Sequence, residues 1–156
     1  TTWAAGKKRM LELKGIPFEF KFQAHEGNLI DITQMKGKVI LVDFWATWCG
    51  TCIAKMPMIK KIYDKYKLKG FEVISIAIDK PSEIAEVLEV EKKIGTNWPL
   101  CIIGDSSIKG EIWTKFGFTS VPQVMLLDKQ GKLIEYNGQL FYEASLEKLV
   151  KEAIKE

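Results

Sequence analysis

The chain has 156 residues, which fits one domain against a usual size of about 150, and at that size roughly 70% of the unfolded surface can be buried without a metal or a disulfide lattice. Hydrophobic residues make up 47% and charged residues 28%, values far from those of chains that stay disordered. Lys and Arg total 23 against 20 Asp and Glu, a net charge of +3 with Arg9 as the one arginine; the balance implies neither a nucleic acid read by guanidinium forks nor a membrane surface held by charge.

The sequence begins at Thr1 and lacks a basic segment followed by an apolar core, so its start reads as a processing boundary, with any targeting segment removed or never present. Residues 5–13 form a short helix that Gly15 and Pro17 break, after which Phe18, Phe20 and Phe22 alternate with charged residues as a half-buried strand. Glu26-Gly27-Asn28 turns the chain into a second short strand over 29–32. The run Val39-Ile-Leu-Val-Asp-Phe-Trp45 has no alternation and predicts a strand covered on both faces. Ile53, Met56, Ile59, Tyr63 and Tyr66 then recur at helical spacing over residues 50–69, with Gly70 as the stop and six lysines on the outer face.

Phe71 to Ile78 is a second buried strand, and Pro81 opens a helix over 82–94 whose Glu83, Glu86, Glu89 and Glu91 read as one acidic face. A short strand over 100–103, a helix capped by Ser106 or Ser107 and running to about Phe116, a hairpin of 123–127 with 132–136 around Asp128–Gly131, and a last helix over 143–155 complete the order. No run approaches the roughly 18 apolar residues of a spanning helix, the longest uncharged one being the 12 residues Phe116 to Leu127. No repeat or interdomain linker interrupts the chain. The pattern is βαβ units followed by a hairpin and a helix around one mixed sheet.

Trp48-Cys49-Gly50-Thr51-Cys52 falls where the buried strand ends and the long helix begins. Cys49 therefore sits beside the free N–H groups and the positive dipole end of that helix, a position that stabilises a thiolate. Lowering a thiol from about 8.5 toward 7 or below makes it the nucleophile that disulfide exchange needs. Cys52 lies one turn on, so the two sulfurs can face each other, and Gly50 leaves room for a partner chain. The competing readings are two small buried hydrophobes, or half of a metal site completed by a partner. His25 is the only histidine, which leaves a closed zinc site short of ligands.

Asp43 interrupts the buried run Val39 to Trp45. A carboxylate left charged there costs several kcal/mol, and burial would raise its pKa toward neutrality and suit it to exchange a proton with the second thiol. Equally, it could turn outward to cap a loop or pair with a lysine; both readings stay open on the residues alone. Trp45 reads as packing beneath the loop and Trp48 as a docking rim. Cys101 reads as a buried thiol, the lysine face as solvated and His25 as incidental.

The segment VDFWATWCGTC followed by Met56-Pro57 resembles the active-site segment of thioredoxin-fold oxidoreductases. Ser120-Val121-Pro122-Gln123 resembles the cis-proline loop of that family and Leu127 to Lys132 its hairpin turn, so that the likeness spans residues 14–155. Gly15-Ile16-Pro17, the segment 29–38 and an insertion of about 25 residues around 80–104 are similar to the TlpA/ResA-like branch, which is typically extracytoplasmic and membrane-tethered. The resemblance implies Cys49 as attacking thiolate, Cys52 as resolving thiol, Asp43 as buried carboxylate, and Trp48, Gly50, Thr51, Val121 and Pro122 as the substrate-facing surface. A cis bond at Val121–Pro122, found at only about 5–6% of X–Pro bonds, would leave the Val121 backbone free to pair with an extended substrate; a trans proline at a strand edge is the competing reading.

Three departures modify the expectation. Thr51 replaces the proline common between the cysteines and brings a hydroxyl near the Cys49 sulfur. Lys55 stands where the branch often has a glutamate, and Ser75 where thioredoxins have a lysine facing the buried aspartate.

The sequence thus predicts an α/β chain of thioredoxin fold, with a central mixed β-sheet flanked by helices, an N-terminal β-hairpin extension and a helical insertion. It reads as a single thioredoxin-like domain over 1–156, with 1–14 an N-terminal extension and 15–156 the core. The expected activity is thiol–disulfide oxidoreductase, reducing protein disulfides through a Cys49–Cys52 dithiol/disulfide cycle, with no metal and no cofactor beyond that redox-active disulfide. The expected partners are disulfide-containing protein substrates and a protein electron donor, membrane-bound or free, for a monomer. The expected location is extracytoplasmic (periplasmic or membrane-tethered), the cytoplasm being the alternative. The rival functions are a Cu(I)-handling module using the same cysteines and a thiol peroxidase, although Val42 and Ala46 occupy the places of the proline and threonine that a peroxidatic cysteine needs.

Overall fold

The computed structural model describes residues 2–156. Five strands form one mixed sheet in the order β5-β4-β3-β6-β7, and two more form a separate hairpin, β1-β2. The central strand is β3 (Val39–Trp45), every residue of which is buried. It runs parallel to β4 (Phe71–Ala77) and antiparallel to β6 (Gln123–Leu127). On the far sides lie β5 (Leu100–Ile102), parallel to β4, and β7 (Leu133–Tyr136), antiparallel to β6. A strand in this central place has no solvent-facing side, which is why its sequence lacks alternation.

Two parallel crossovers lead in the same direction along the sheet: β3 to β4 through α2 (Gly50–Tyr66), and β4 to β5 through α3 (Ile84–Ile94). Right-handed connection puts both helices on one face. Helix α5 (Glu143–Lys155) joins them there, where Leu146, Val150 and Ala153 pack with Ile59, Ile62, Tyr63 and Tyr66 of α2 and with Val39 and Leu41 of β3. On the opposite face Phe18, Phe20 and Phe22 cluster with Ile40, Val42, Phe44, Ile74 and Ile76 and with Ile112 and Phe116 of α4 (Ser107–Phe116). The even-numbered residues of β3 thus face the N-terminal segment, and the odd-numbered ones, Asp43 among them, face α2.

The N-terminal part crosses the sheet as a strap. After α1 (Thr2–Leu13) it bonds beside β7 (Gly15 N–H to Leu133 O, 2.8 Å; Phe18 N–H to Gly131 O, 2.9 Å), and it finishes at the other edge, where His25 N–H reaches Leu100 O at 2.8 Å. Between those points lies the hairpin of β1 (Lys21–Gln23) and β2 (Leu29–Asp31). The alternation of Phe18, Phe20 and Phe22 holds as burial, although only residues 21–23 are strand, because Phe18 lies against the β6–β7 turn instead of a partner strand.

Three expected helix boundaries move. The first helix starts at Thr2 instead of residue 5. Helix α2 ends at Tyr66, and its last predicted turn tightens into a 3-10 turn over Lys67–Lys69 before Gly70 at φ 99°, a conformation that glycine adopts without steric cost. Pro81–Glu83 is likewise a 3-10 turn ahead of α3. On α3 the expected acidic face is corrected: Glu86 and Glu89 are exposed, whereas Glu91 is buried. Two residues along a helix turn the side chain by about 200°, so Glu91 points away from Glu89 and toward the sheet.

Candidate active site

Buried strand β3 ends at Trp45, and Ala46 to Trp48 carry the chain into α2 with Cys49 as N-cap, in extended backbone at φ −96° and ψ 92°. An N-cap side chain faces the first free amides of its helix, and here the Cys49 Sγ accepts the N–H of Cys52 at 3.3 Å. The expected hydroxyl is also present, with Thr51 Oγ1 3.6 Å from that sulfur. Cys49 and Cys52 are joined as a disulfide with Cα atoms 5.3 Å apart. Cys49 is only 7% exposed, but a Cβ built on Gly50 would meet nothing within 4 Å, which leaves open space beside it.

Trp45 is fully buried and Trp48 is 67% exposed. The Val121–Pro122 bond is cis, with Val121 buried and Pro122 half-buried at the start of β6. Lys55 turns aside: its ammonium reaches Phe141 O at 3.4 Å and lies 4.8 Å over the Phe141 ring. Cys101 is buried, and desolvation pushes its thiol up to about 12, which leaves it protonated at any physiological pH.

Asp43 is 3% exposed and points into the α2-covered side of the sheet, so the outward, loop-capping orientation is not adopted. Cys52 belongs to the α2 stripe Cys52, Met56, Ile59, Tyr63 that faces the same side. Opposite Asp43 in register stands Ser75, whose hydroxyl oxygen accepts the indole N–H of Trp45. Among the described residues no cation pairs with the carboxylate. Burial pushes Asp43 up to about 7, with the charge of Glu91 adding to the rise.

One positioning residue was invisible to sequence reasoning. Asp79, just past β4 and 2% exposed, accepts the backbone N–H of Thr47 at 3.1 Å and the Thr47 hydroxyl, clamping the loop that carries Trp48 and Cys49. Gly104 presses on it from behind: its N–H bonds to Asp79 O at 3.0 Å, and a Cβ there would lie 2.3 Å from that oxygen. An aspartate 30 residues after the cysteines offers no local signal; the Thr-x-Cys spacing was the one available hint. Among the described residues no three His, Cys, Asp or Glu side chains gather as a metal site, and no helix is long and apolar enough to cross a membrane.

Residues 14–150 match the Redoxin family. The thiol-disulfide oxidoreductase ResA of Bacillus anthracis is 34% identical over 131 residues, covering 84% of this chain and 72% of that protein. ResA of Bacillus subtilis (strain 168) is 27% identical over 131 residues, covering 84% and 69%. Among solved structures, a putative protein disulfide isomerase from Bacteroides thetaiotaomicron superposes with a TM-score of 0.77 at 28% identity, covering 92% of this chain and 91% of that one. With a paired Cys49 and Cys52 at the head of α2 on this fold, the chain belongs to the Redoxin family, and within it is a TlpA/ResA-like thiol–disulfide oxidoreductase.

Proposed function

We propose that this oxidoreductase reduces protein disulfides, with Cys49 attacking, Cys52 resolving and Asp43 managing the proton. The observation that carries this reading is Cys49 Sγ at the N-cap of α2, where the Cys52 amide already points at it. In the reduced protein the Cys49 thiolate attacks one sulfur of a substrate disulfide, forming a mixed disulfide and releasing the other sulfur as a thiolate. Cys52 gives its proton to the Asp43 carboxylate, and its thiolate attacks Cys49 Sγ. The second substrate sulfur leaves, and the Cys49–Cys52 disulfide closes. Two electrons have passed to the substrate, and a dithiol protein donor must return them.

Trp48, Gly50, Thr51, Val121 and Pro122 form the surface that meets the substrate. The exposure of Trp48 and the open space beside Gly50 support this assignment. Residues 1–156 act as one thioredoxin-like domain with 1–14 as an extension, monomeric and free of any dissociable cofactor. The ResA likeness supports an extracytoplasmic setting, periplasmic or membrane-tethered, with a membrane-bound electron donor.

The test is a pair of variants incubated with disulfide-bearing proteins and separated on non-reducing gels. Cys49→Ser abolishes turnover, and Cys52→Ser accumulates covalent mixed disulfides through Cys49. A Cys52→Ser protein that traps nothing would overturn the order of attack.

A further inference from the structure

Strand β7 ends at Tyr136, and the next residue, Asn137, has backbone angles of φ 45° and ψ −142°, the one positive φ outside glycine among the described residues. An L side chain adopts this conformation only against steric strain. Glycine takes it freely, and a glycine follows at once at position 138. A strained residue persists where surrounding bonds hold it. What asparagine adds over glycine is a carboxamide, with one oxygen to accept and one nitrogen to donate.

The backbone angles decide where that carboxamide goes. Beyond the pairs Leu126–Glu135 and Met125–Tyr136, the next antiparallel pair of β6 and β7 is Val124 with Asn137, which by the ladder pattern exchanges two main-chain bonds. One of them forms, from Asn137 N–H to Val124 O at 2.8 Å. The other does not, because the Asn137 carbonyl is turned away to accept Leu140 N–H at 2.8 Å and open the turn over Gly138–Phe141. The side chain takes its place: Asn137 Oδ1 accepts Val124 N–H at 2.8 Å. Asn137 Nδ2 then donates to Gln123 Oε1 at 2.7 Å, and Gln123 Nε2 donates to Ser120 O at 2.9 Å. Flipping either amide would set donor against donor and acceptor against acceptor, so the three bonds admit one arrangement.

This chain of bonds anchors the loop on both sides of the cis Val121–Pro122 bond, at Ser120 before it and at Val124 after it, and the two anchors meet at Asn137. Between them, among the described residues, no main-chain group bonds to Val121. An open backbone edge takes up an extended chain more tightly when it is already ordered, because less freedom is lost on binding. We infer that Asn137 is a positioning residue of the exchange reaction, whose carboxamide fixes the Val121 edge for pairing with a polypeptide substrate. The inference rests on Val121 and Pro122 as substrate-facing residues. Asn137 acts on the polypeptide around the disulfide and not on its sulfurs, so a disulfide without a polypeptide draws no benefit from it.

The test compares kcat/KM for insulin, a polypeptide disulfide, with kcat/KM for hydroxyethyl disulfide, which has no backbone to pair, in the full chain and three variants. Asn137→Gly tolerates the backbone angles and removes the carboxamide; the insulin-to-hydroxyethyl disulfide ratio falls about tenfold, through a higher KM for insulin. Asn137→Asp keeps the acceptor for Val124 but sets an oxygen against Gln123 Oε1, and the ratio falls about threefold. A ratio unchanged in Asn137→Gly but lowered in Pro122→Ala overturns the inference and leaves the loop as substrate-facing. A ratio that neither variant moves overturns both, and an Asn137→Asp ratio equal to wild type overturns the anchor at Ser120 and the inference with it. Hydrogen exchange followed by NMR in the wild type is free of any folding defect: the side-chain amides of Asn137 and Gln123 exchange at least about tenfold more slowly than in a short peptide, and exchange at the peptide rate would overturn the inference.

Discussion

At the scale of single residues, the chemistry turns on charges placed where hydration is poor. Cys49 is served by helix amides, so its anion is favoured; Asp43 has no such donors on Oδ2, so its anion is not. Asp43 was legible because a carboxylate inside seven otherwise apolar residues stands out, whereas its orientation needed the register of β3 against β4. Glu91 was misread because it follows the exposed Glu86 and Glu89 in a helix whose repeat sets it on the other side. These two acids also give stability a pH dependence. Their folded values of about 7 lie above the ordinary 3.8 and 4.5, so the folded chain keeps protons that the unfolded chain releases between about pH 4 and pH 7. Stability from these groups is therefore full at the acidic end and falls as pH rises through that window. Thermal melts should show Asp43→Asn raising the midpoint by about 5 °C or more at pH 8 and changing it little at pH 5; a lower midpoint at pH 8 would count against a buried, unpaired charge.

At the scale of elements, the reactive loop is held between the end of β3 and the start of α2 by a contact from a third place, Asp79. The helix start at Gly50 was legible from the apolar spacing of α2, and Pro57 inside it, which lacks the amide that would bond the Ile53 carbonyl, did not obscure the pattern. The Asp79 clamp was not legible, since long-range side-chain bonds leave no periodicity. Its backing is Gly104, the position where a methyl group would overlap immovable backbone. Gly104→Ala should cost about 1–3 kcal/mol, the usual range for overpacking, and slow exchange by displacing Asp79 from Thr47. Chemical unfolding combined with insulin-reduction rates checks this; a variant of unchanged stability and rate would show that the clamp does not set the loop.

At the scale of the whole molecule, the fold brings the N-cap sulfur and the cis-proline loop to one end of the sheet by pairing β3 with β6, Phe44 opposite Gln123. The order βαβ, hairpin, helix could be read from the chain because covered strands are continuous apolar runs and helices keep their 3.6 period. Of the strap formed by residues 15–25 only the alternating burial of Phe18, Phe20 and Phe22 could be read; its course across a sheet face and its bonds to both edges leave no local pattern. The strap and α4 pack on one face and the inner stripe of α2 with α5 on the other, and the reactive sulfur lies at the head of α2. The direct measurement is the pH dependence of iodoacetamide alkylation at Cys49 in the Cys52→Ser protein. A thiolate held by the α2 amides titrates at or below about pH 7, and a midpoint near 8.5, that of a free thiol, would contradict it.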